Sequence, residues 1–309
     1  MRRFVRTVFE DVDVEEIKGD ILIHEHLNVD TSSIKKDNDA CLMEPPTVVD
    51  ELLHFTSSGG EILVDVTSSG NGRDPRVFDF ISRTSKARIV CGVGYYFGLY
   101  LPLRAVNRSV DELAEEFIRE ITTGIDDSSV RAGVIGEIGS SLEVLPAEER
   151  IFRAAALAQK ETGAGIITHT QFGWNAIKQI NMLEAYGADL TKVGLGHMDL
   201  YPDPAIHEEV ARKGAFVCID NVGRVDYRPD WERVKMINHL FSRGFGSHVL
   251  ISSDVSRRSH LRKNGGHGYG HVLSEFRKML NESGFSQEEL SMLYRENPLK
   301  LLAIEEKNE

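Results

Sequence analysis

Two histidines one residue apart, His24 and His26, end the apolar run Ile21-Leu22-Ile23. Alternate residues of a strand point the same way, so on a strand these imidazoles share a face. Two neutral imidazoles aimed at one point suit a divalent transition metal. The same device recurs downstream: Val134-Ile135-Gly136 leads to Glu137, Ile166-Ile167-Thr168 to His169, Gly194-Leu195-Gly196 to His197, and Leu250-Ile251-Ser252-Ser253 to Asp254. Each of these has a plain structural reading on its own, as a satisfied core histidine or a helix cap. Gathered at one level without a cation they would be costly to desolvate. The ensemble therefore reads as a metal site. Its ligands exceed what a single catalytic zinc takes from a protein. Two divalent ions sharing a carboxylate and a hydroxide would use them all, with zinc the expected metal, although manganese, cobalt and iron suit the same ligands. Such a pair activates water and polarises the carbonyl or phosphoryl group under attack. Asp254, both ligand and neighbour of the hydroxide, is then the catalytic proton acceptor.

These side chains need elements to hold them. Short apolar, β-branched runs predict strands over 20–23, 61–66, 88–93, 132–137, 165–168, 192–196, 215–219 and 248–252. Most are continuous rather than alternating, as parallel strands buried on both faces should be. Helical patterns lie between them. Ser109 and Glu112 form a capping box ahead of Val110, Leu113, Phe117 and Ile121. Pro146 opens a helix that runs toward Gly163, and Pro229-Asp230 opens another that runs toward Gly244. Alternating strands and helices at this length predict a single-domain (β/α)8 TIM barrel over 1–309, with its active site at the C-terminal ends of the strands. A doubly wound open sheet is the competing architecture. A further helix over about 287–303 is expected to pack outside the barrel.

Composition narrows the partners. The net charge of -12 argues against a polyanion such as nucleic acid. One basic cluster, Arg257, Arg258, Arg262 and Lys263, is large enough for one anionic group on a small-molecule substrate. Arg257 and Arg258 are the candidates to hold that group, against the alternative of a solvated loop. Three cysteines, Cys41, Cys91 and Cys218, show no Cys-x-x-Cys spacing and fit a reduced, cytoplasmic protein. No leader and no apolar stretch of membrane-helix length is expected.

Other signals are weaker. His54, His207 and His239 fall in helical patterns and read as packing or surface residues. His260, His267 and His271 lie in a glycine-rich stretch that looks like an active-site loop, where a substrate contact is an option. There is no Gly-x-Ser-x-Gly elbow and no phosphate-binding loop, and Gly92-Val93-Gly94 lacks the third glycine of a dinucleotide fingerprint.

At these same residues the chain resembles the phosphotriesterase family of the amidohydrolase superfamily. The resembling stretches are HEHL from His24, GRDP from Gly72, GVGYY from Gly92, THT from Thr168, GH from Gly196, SSD from Ser252, GGHGYGH from Gly265 and ENPLKLL from Glu296. Within the family the pattern from Asp254 to Gly266 is most similar to the phosphotriesterase homology proteins. The resemblance implies a binuclear, usually zinc, centre. His24, His26 and Asp254 would bind the more buried ion, His169 and His197 the more exposed one, and Glu137 would bridge in place of a carboxylated lysine. It leaves the oligomeric state open, a homodimer being common in the family. Two departures stand out. Asn221 falls where triesterases and lactonases carry histidine or arginine, and Gly98 falls where lactonases carry tyrosine.

The function expected is hydrolysis of an ester, lactone or phosphoester by a metal-bridging hydroxide. A lactonase for a sugar or phosphorylated sugar lactone is the rival within the class. A metal-binding barrel without turnover is the rival outside it.

Overall fold

The computed structural model describes residues 2–306. Among them, eight strands form one parallel sheet in sequence order: β1 (Asp20–Glu25), β2 (Gly60–Asp65), β3 (Arg88–Val93), β4 (Val134–Gly139), β5 (Gly165–His169), β6 (Val193–Leu195), β7 (Phe216–Ile219) and β8 (Val249–Ile251). The ends meet where the Asp254 N–H donates to the His24 carbonyl at 3.2 Å, so the sheet closes into a nearly complete (β/α)8 barrel. The open doubly wound alternative is thereby excluded.

Alternation along each strand explains the continuous apolar runs. On β1, Ile21 and Ile23 join Ile62, Val64, Val90, Ile167 and Leu250 in an inner cluster. Leu22 and its counterparts Leu63, Ile89, Ile135 and Ile166 face outward and pack in a second cluster with the surrounding helices. Both faces are dry, as the composition of the strands requires.

The helices follow their sequence signals. α1 (Pro45–Ser57) and α2 (Pro75–Ser85) open on proline, and α3 (Val110–Thr122) opens on the Ser109–Glu112 capping box, with both reciprocal hydrogen bonds present. α4 (Pro146–Thr162) ends at Gly163, whose φ of 74° is the left-handed conformation that glycine tolerates. α5 (Ala176–Ala185), α6 (Pro204–Arg212), α7 (Asp230–Ser242) and α8 (Glu275–Glu282) complete the outer layer.

Several details bear on the sequence expectation. β4 runs two residues beyond the predicted 132–137, so Glu137 sits inside a strand and not at its tip. β8 stops at Ile251, before the predicted 252, because the next backbone groups turn to Glu25. The predicted helix over 287–303 is present over 287–302 and runs without a break through one wide π-helical turn at Met292–Glu296. Its last piece covers the N-terminal ends of the strands, where Asn297 Nδ2 donates to the carbonyls of Gly246 and Val249. A small antiparallel sheet of Arg3–Arg6, Asp11–Asp13 and Ile304–Glu305 was not expected. No helix among the described residues is long and apolar enough to cross a membrane. Cys91 and Cys218 are buried and Cys41 is half-buried, all three as free thiols.

Candidate metal centre

All six side chains singled out in the sequence reach the C-terminal end of the barrel. The Glu137 carboxylate is the meeting point. Its Oε1 lies 2.9 Å from His169 Nδ1, 3.3 Å from His197 Nε2 and 3.4 Å from His24 Nε2. On the far side of His24, His26 Nε2 lies 3.4 Å from Asp254 Oδ1. Two groups able to hold a cation result, His24/His26/Asp254 and Glu137/His169/His197, with His24 and Glu137 in contact where the groups adjoin.

The backbone is bent to achieve this. Gly136 has φ 146°, and a Cβ there would lie 2.4 Å from the Ile167 carbonyl oxygen, so only glycine lets β4 turn Glu137 inward. His197 (φ 60°) and Asp254 (φ 46°) both take the left-handed conformation that non-glycine residues rarely adopt. Such strain concentrates at functional positions and persists because the surroundings over-determine it. Glu25, between the two histidines, faces away from them. It accepts from Ser252 Oγ (2.8 Å), Ser253 N (2.8 Å), Ser253 Oγ (2.7 Å) and Val255 N (2.8 Å), which ties the end of β1 to the segment carrying Asp254.

A shell behind the ligands fixes their rings. His26 Nδ1 contacts Thr67 Oγ1 at 2.9 Å. His169 has Phe97 stacked on its ring at 4.9 Å and the Tyr96 hydroxyl 3.0 Å from Nδ1. Asp220, fully buried, faces two imidazoles at once: Oδ1 is 3.0 Å from His197 Nδ1, and Oδ2 is 2.9 Å from His24 Nδ1. The second contact lies off a good hydrogen-bond angle, so it acts as an ion pair and leaves both atoms without a hydrogen-bond partner. A third possible group, His24/His197/Asp220, is also close enough for an ion. Because Asp220 meets both rings through Nδ1 while their Nε2 atoms face Glu137, it reads better as the group that orients them. Arg224 does the same for Asp254, donating from its guanidinium to Oδ2 at 2.8 Å.

The electrostatics ask for a cation. Burial alone would lower the His24 pKa, yet Asp220 and Glu137 outweigh it and raise it well above the ordinary value. Burial likewise opposes the charge on His197, but Asp220 and Glu137 carry its pKa up to about 10. The three carboxylates therefore draw positive charge into the site. His24 Nε2 is a buried nitrogen with no hydrogen-bond partner, and His169 Nδ1 faces His197 Nε2 at 2.9 Å. Imidazoles and carboxylates converging around an unpartnered ring nitrogen are the donor set that divalent ions take, with the ion supplying the positive charge that protons would otherwise supply, so the residues fit such ions.

The centre opens into a cleft of about 260 Å³, walled by Tyr96, Phe97, Tyr100, Phe172 and Tyr227. Arg257 lines this cleft, but its guanidinium is held by Asp37 (2.5 Å) and Asp39 (3.5 Å). Arg258, expected beside it as a substrate contact, does not line the cleft. It points outward to pair with Glu44, since these two consecutive residues project to opposite sides. His260, His267 and His271 form a row of rings outside the cleft, with His271 Nε2 2.8 Å from Asp230 Oδ2. His207 is buried and contacts the Met198 carbonyl.

Sequence reasoning missed Asp220, Arg224 and Tyr96. Asp220 follows the apolar run of β7 directly, so the signal that marks the other candidate residues marks it as well. Asn221 is buried and donates to Asp199 and Asp220. Gly98 brings no side chain to the cleft, but Tyr96 and Tyr100, on either side of it, both face it.

Comparison with known proteins agrees with this geometry. The model of the phosphotriesterase family matches residues 4–302. The chain is 38% identical over 281 residues to the phosphotriesterase homology protein of Escherichia coli, covering 91% of this chain and 96% of that one. The crystal structure of that protein, with phosphate in its active site, superposes with a TM-score of 0.89 at 37% identity, over 92% of this chain and 98% of the other. An N-acetyltaurine hydrolase of Dictyostelium discoideum is 31% identical over 307 residues, 96% of this chain and 82% of that one. A lactonase of Listeria monocytogenes superposes with a TM-score of 0.91 at 26% identity, over 98% of this chain and all (100%) of the other. With its barrel, its rim of histidines and carboxylates and these likenesses together, the chain belongs to the phosphotriesterase family.

Proposed function

We propose that this chain is a hydrolase dependent on two divalent ions, with zinc the expected metal. His24, His26 and Asp254 would hold one ion, His169 and His197 the other, and Glu137 would lie between them. The observation that carries this reading is the position of Glu137 Oε1 within 3.4 Å of three imidazole nitrogens that belong to two adjoining ligand groups. When bound, such ions lower the pKa of a water toward neutrality and polarise the bond it attacks. Asp254 is placed to take the proton of that water, with Arg224 fixing the carboxylate through its second oxygen. Thr67, Asp220, Phe97 and Tyr96 keep the imidazoles aimed, and the aromatic wall limits water at the site.

The substrate we propose is a small molecule with an ester or lactone bond. The similarity to a lactonase supports it, as does the tyrosine-lined cleft. Amide hydrolysis is a second reading, favoured by several relatives named N-acetyltaurine hydrolase. We read the chain as one catalytic domain working in the cytoplasm, as a homodimer. The test is chelation, dialysis and reconstitution, followed by assay on lactones, aryl esters, phosphodiesters and N-acyl amino sulfonates. Activity on one class that is lost with the metal and restored by zinc is expected. Full activity of the chelated protein would overturn the reading, and so would full metal occupancy with no turnover on any class.

A further inference from the structure

Three cationic side chains line the cleft, and they are not equivalent. Arg224 is committed to Asp254 at 2.8 Å, and Arg257 is committed to Asp37 and Asp39. Lys35 also lines the cleft, but its ammonium has no hydrogen bond and no ion pair among the described residues. We infer that Lys35 is the specificity-determining residue of this cleft and receives an oxyanion tail of the substrate, remote from the bond that is broken.

The placement of Lys35 is built, not incidental. It ends a short helix, Ser32–Lys35, that starts from Thr31 on the cleft wall. The Asp30 carboxylate accepts from both the backbone N–H and the hydroxyl of Ser32. On the other side, Lys36 turns the chain in the left-handed conformation with φ 52°. Asp37 and Asp39 then tie the segment to Arg257, and Asp39 also accepts from Ser259 N (2.7 Å) and Ser259 Oγ (2.6 Å). Arg257 thus acts as a strut that fixes the Lys35 segment over the centre, and Lys35 carries the free charge. Both segments are anchored, so little backbone ordering entropy is lost when the lysine takes a ligand.

Electrostatics agree. Lys35 is exposed at the rim as a residue, yet partial burial pulls its pKa down, against the upward pull of Asp254 and Glu137. A partly desolvated ammonium without an ion pair gains from an incoming anion. A chain of net charge -12 that leaves one unpaired cation beside its centre presents a local exception to its own field.

The inference rests on the hydrolase reading for the identity of the second group, the scissile ester, lactone or amide, and not for the tail. Its test is equilibrium binding of matched acids to the zinc-loaded protein: succinate, glutarate and adipate against butyrate, valerate and hexanoate. Each pair differs only in the second carboxylate, and the length series leaves the span to the centre open. Wild type is expected to prefer the diacid by about tenfold at one length at least, a modest value because the lysine is at the rim. Lys35→Met should bring that ratio close to one, and Lys35→Arg should keep most of it. The same split is expected in kcat/KM for the p-nitrophenyl monoester of glutarate against p-nitrophenyl valerate. A wild type with no diacid preference at any length would overturn the inference, as would a Lys35→Met protein that keeps the preference. If the diacids bind as expected while no ester, lactone or amide is hydrolysed, the hydrolase reading falls and the tail site stands.

Discussion

Asp220 offers the sharpest perturbation of the centre, because one carboxylate faces a candidate ligand of each proposed ion. Asp220→Asn keeps the shape and can keep the acceptor for the His197 N–H, which is 2.8 Å from Oδ1. The amide nitrogen then replaces Oδ2, the atom 2.9 Å from His24 Nδ1. A carboxylate there favours a proton on Nδ1 and leaves Nε2 free as a ligand. A neutral amide no longer favours the proton on Nδ1, so the ring proton can move to Nε2 and remove the lone pair that faces Glu137. Loss of such an outer partner costs about 10- to 100-fold in metal affinity, or roughly 1.4 to 2.8 kcal/mol. His24 belongs to one ligand group and His197 to the other, so both ions should be weakened, the His24 ion more. The assay is competition with a chelator of known affinity, read as two successive dissociation constants, with circular dichroism as the control for folding. A variant whose two constants both stay within about threefold of wild type would refute the reasoning, since the carboxylate would then have no part in setting the tautomers.

Two more variants test other parts of the account. Arg233 is fully buried and donates to Asp199 at 2.7 Å and Asp230 at 2.8 Å, so Arg233→Met leaves the interior Asp199 with only the neutral Asn221 amide and Asp230 with His271 as its remaining side-chain partner. Breaking a buried pair in this way costs about 3–5 kcal/mol, seen as a lower urea midpoint, and a loss under about 1 kcal/mol would contradict the network drawn here. Arg224→Met should leave both ions in place while kcat falls about 10- to 100-fold, as for loss of a group that positions a ligand; loss of metal in parallel with activity would instead make Arg224 part of the binding site.

Much of the barrel and all six candidate ligands were legible because parallel strands buried on both faces must be apolar throughout. A polar residue at the end of such a run then stands out, as His24, Glu137 and His169 do. What lay beyond reach depended on approach in space. Arg257 and Arg258 are alike in sequence, and only the fold decides that one lines the cleft and the other meets Glu44. Lys35 carries no sequence signal, since an exposed lysine in a charged loop is ordinary; its meaning comes from the Arg257 contacts that press its segment over the centre. The C-terminal helix was legible too, but not the wide turn at Met292–Glu296, because the apolar periodicity continues through it.

The account turns on a pair of cations at one rim, and anomalous scattering at the zinc edge from crystals of the reconstituted protein reads this directly. Two peaks are predicted, one among His24, His26 and Asp254 and one among Glu137, His169 and His197. A single peak, or none at these side chains in zinc-saturated crystals, would contradict it.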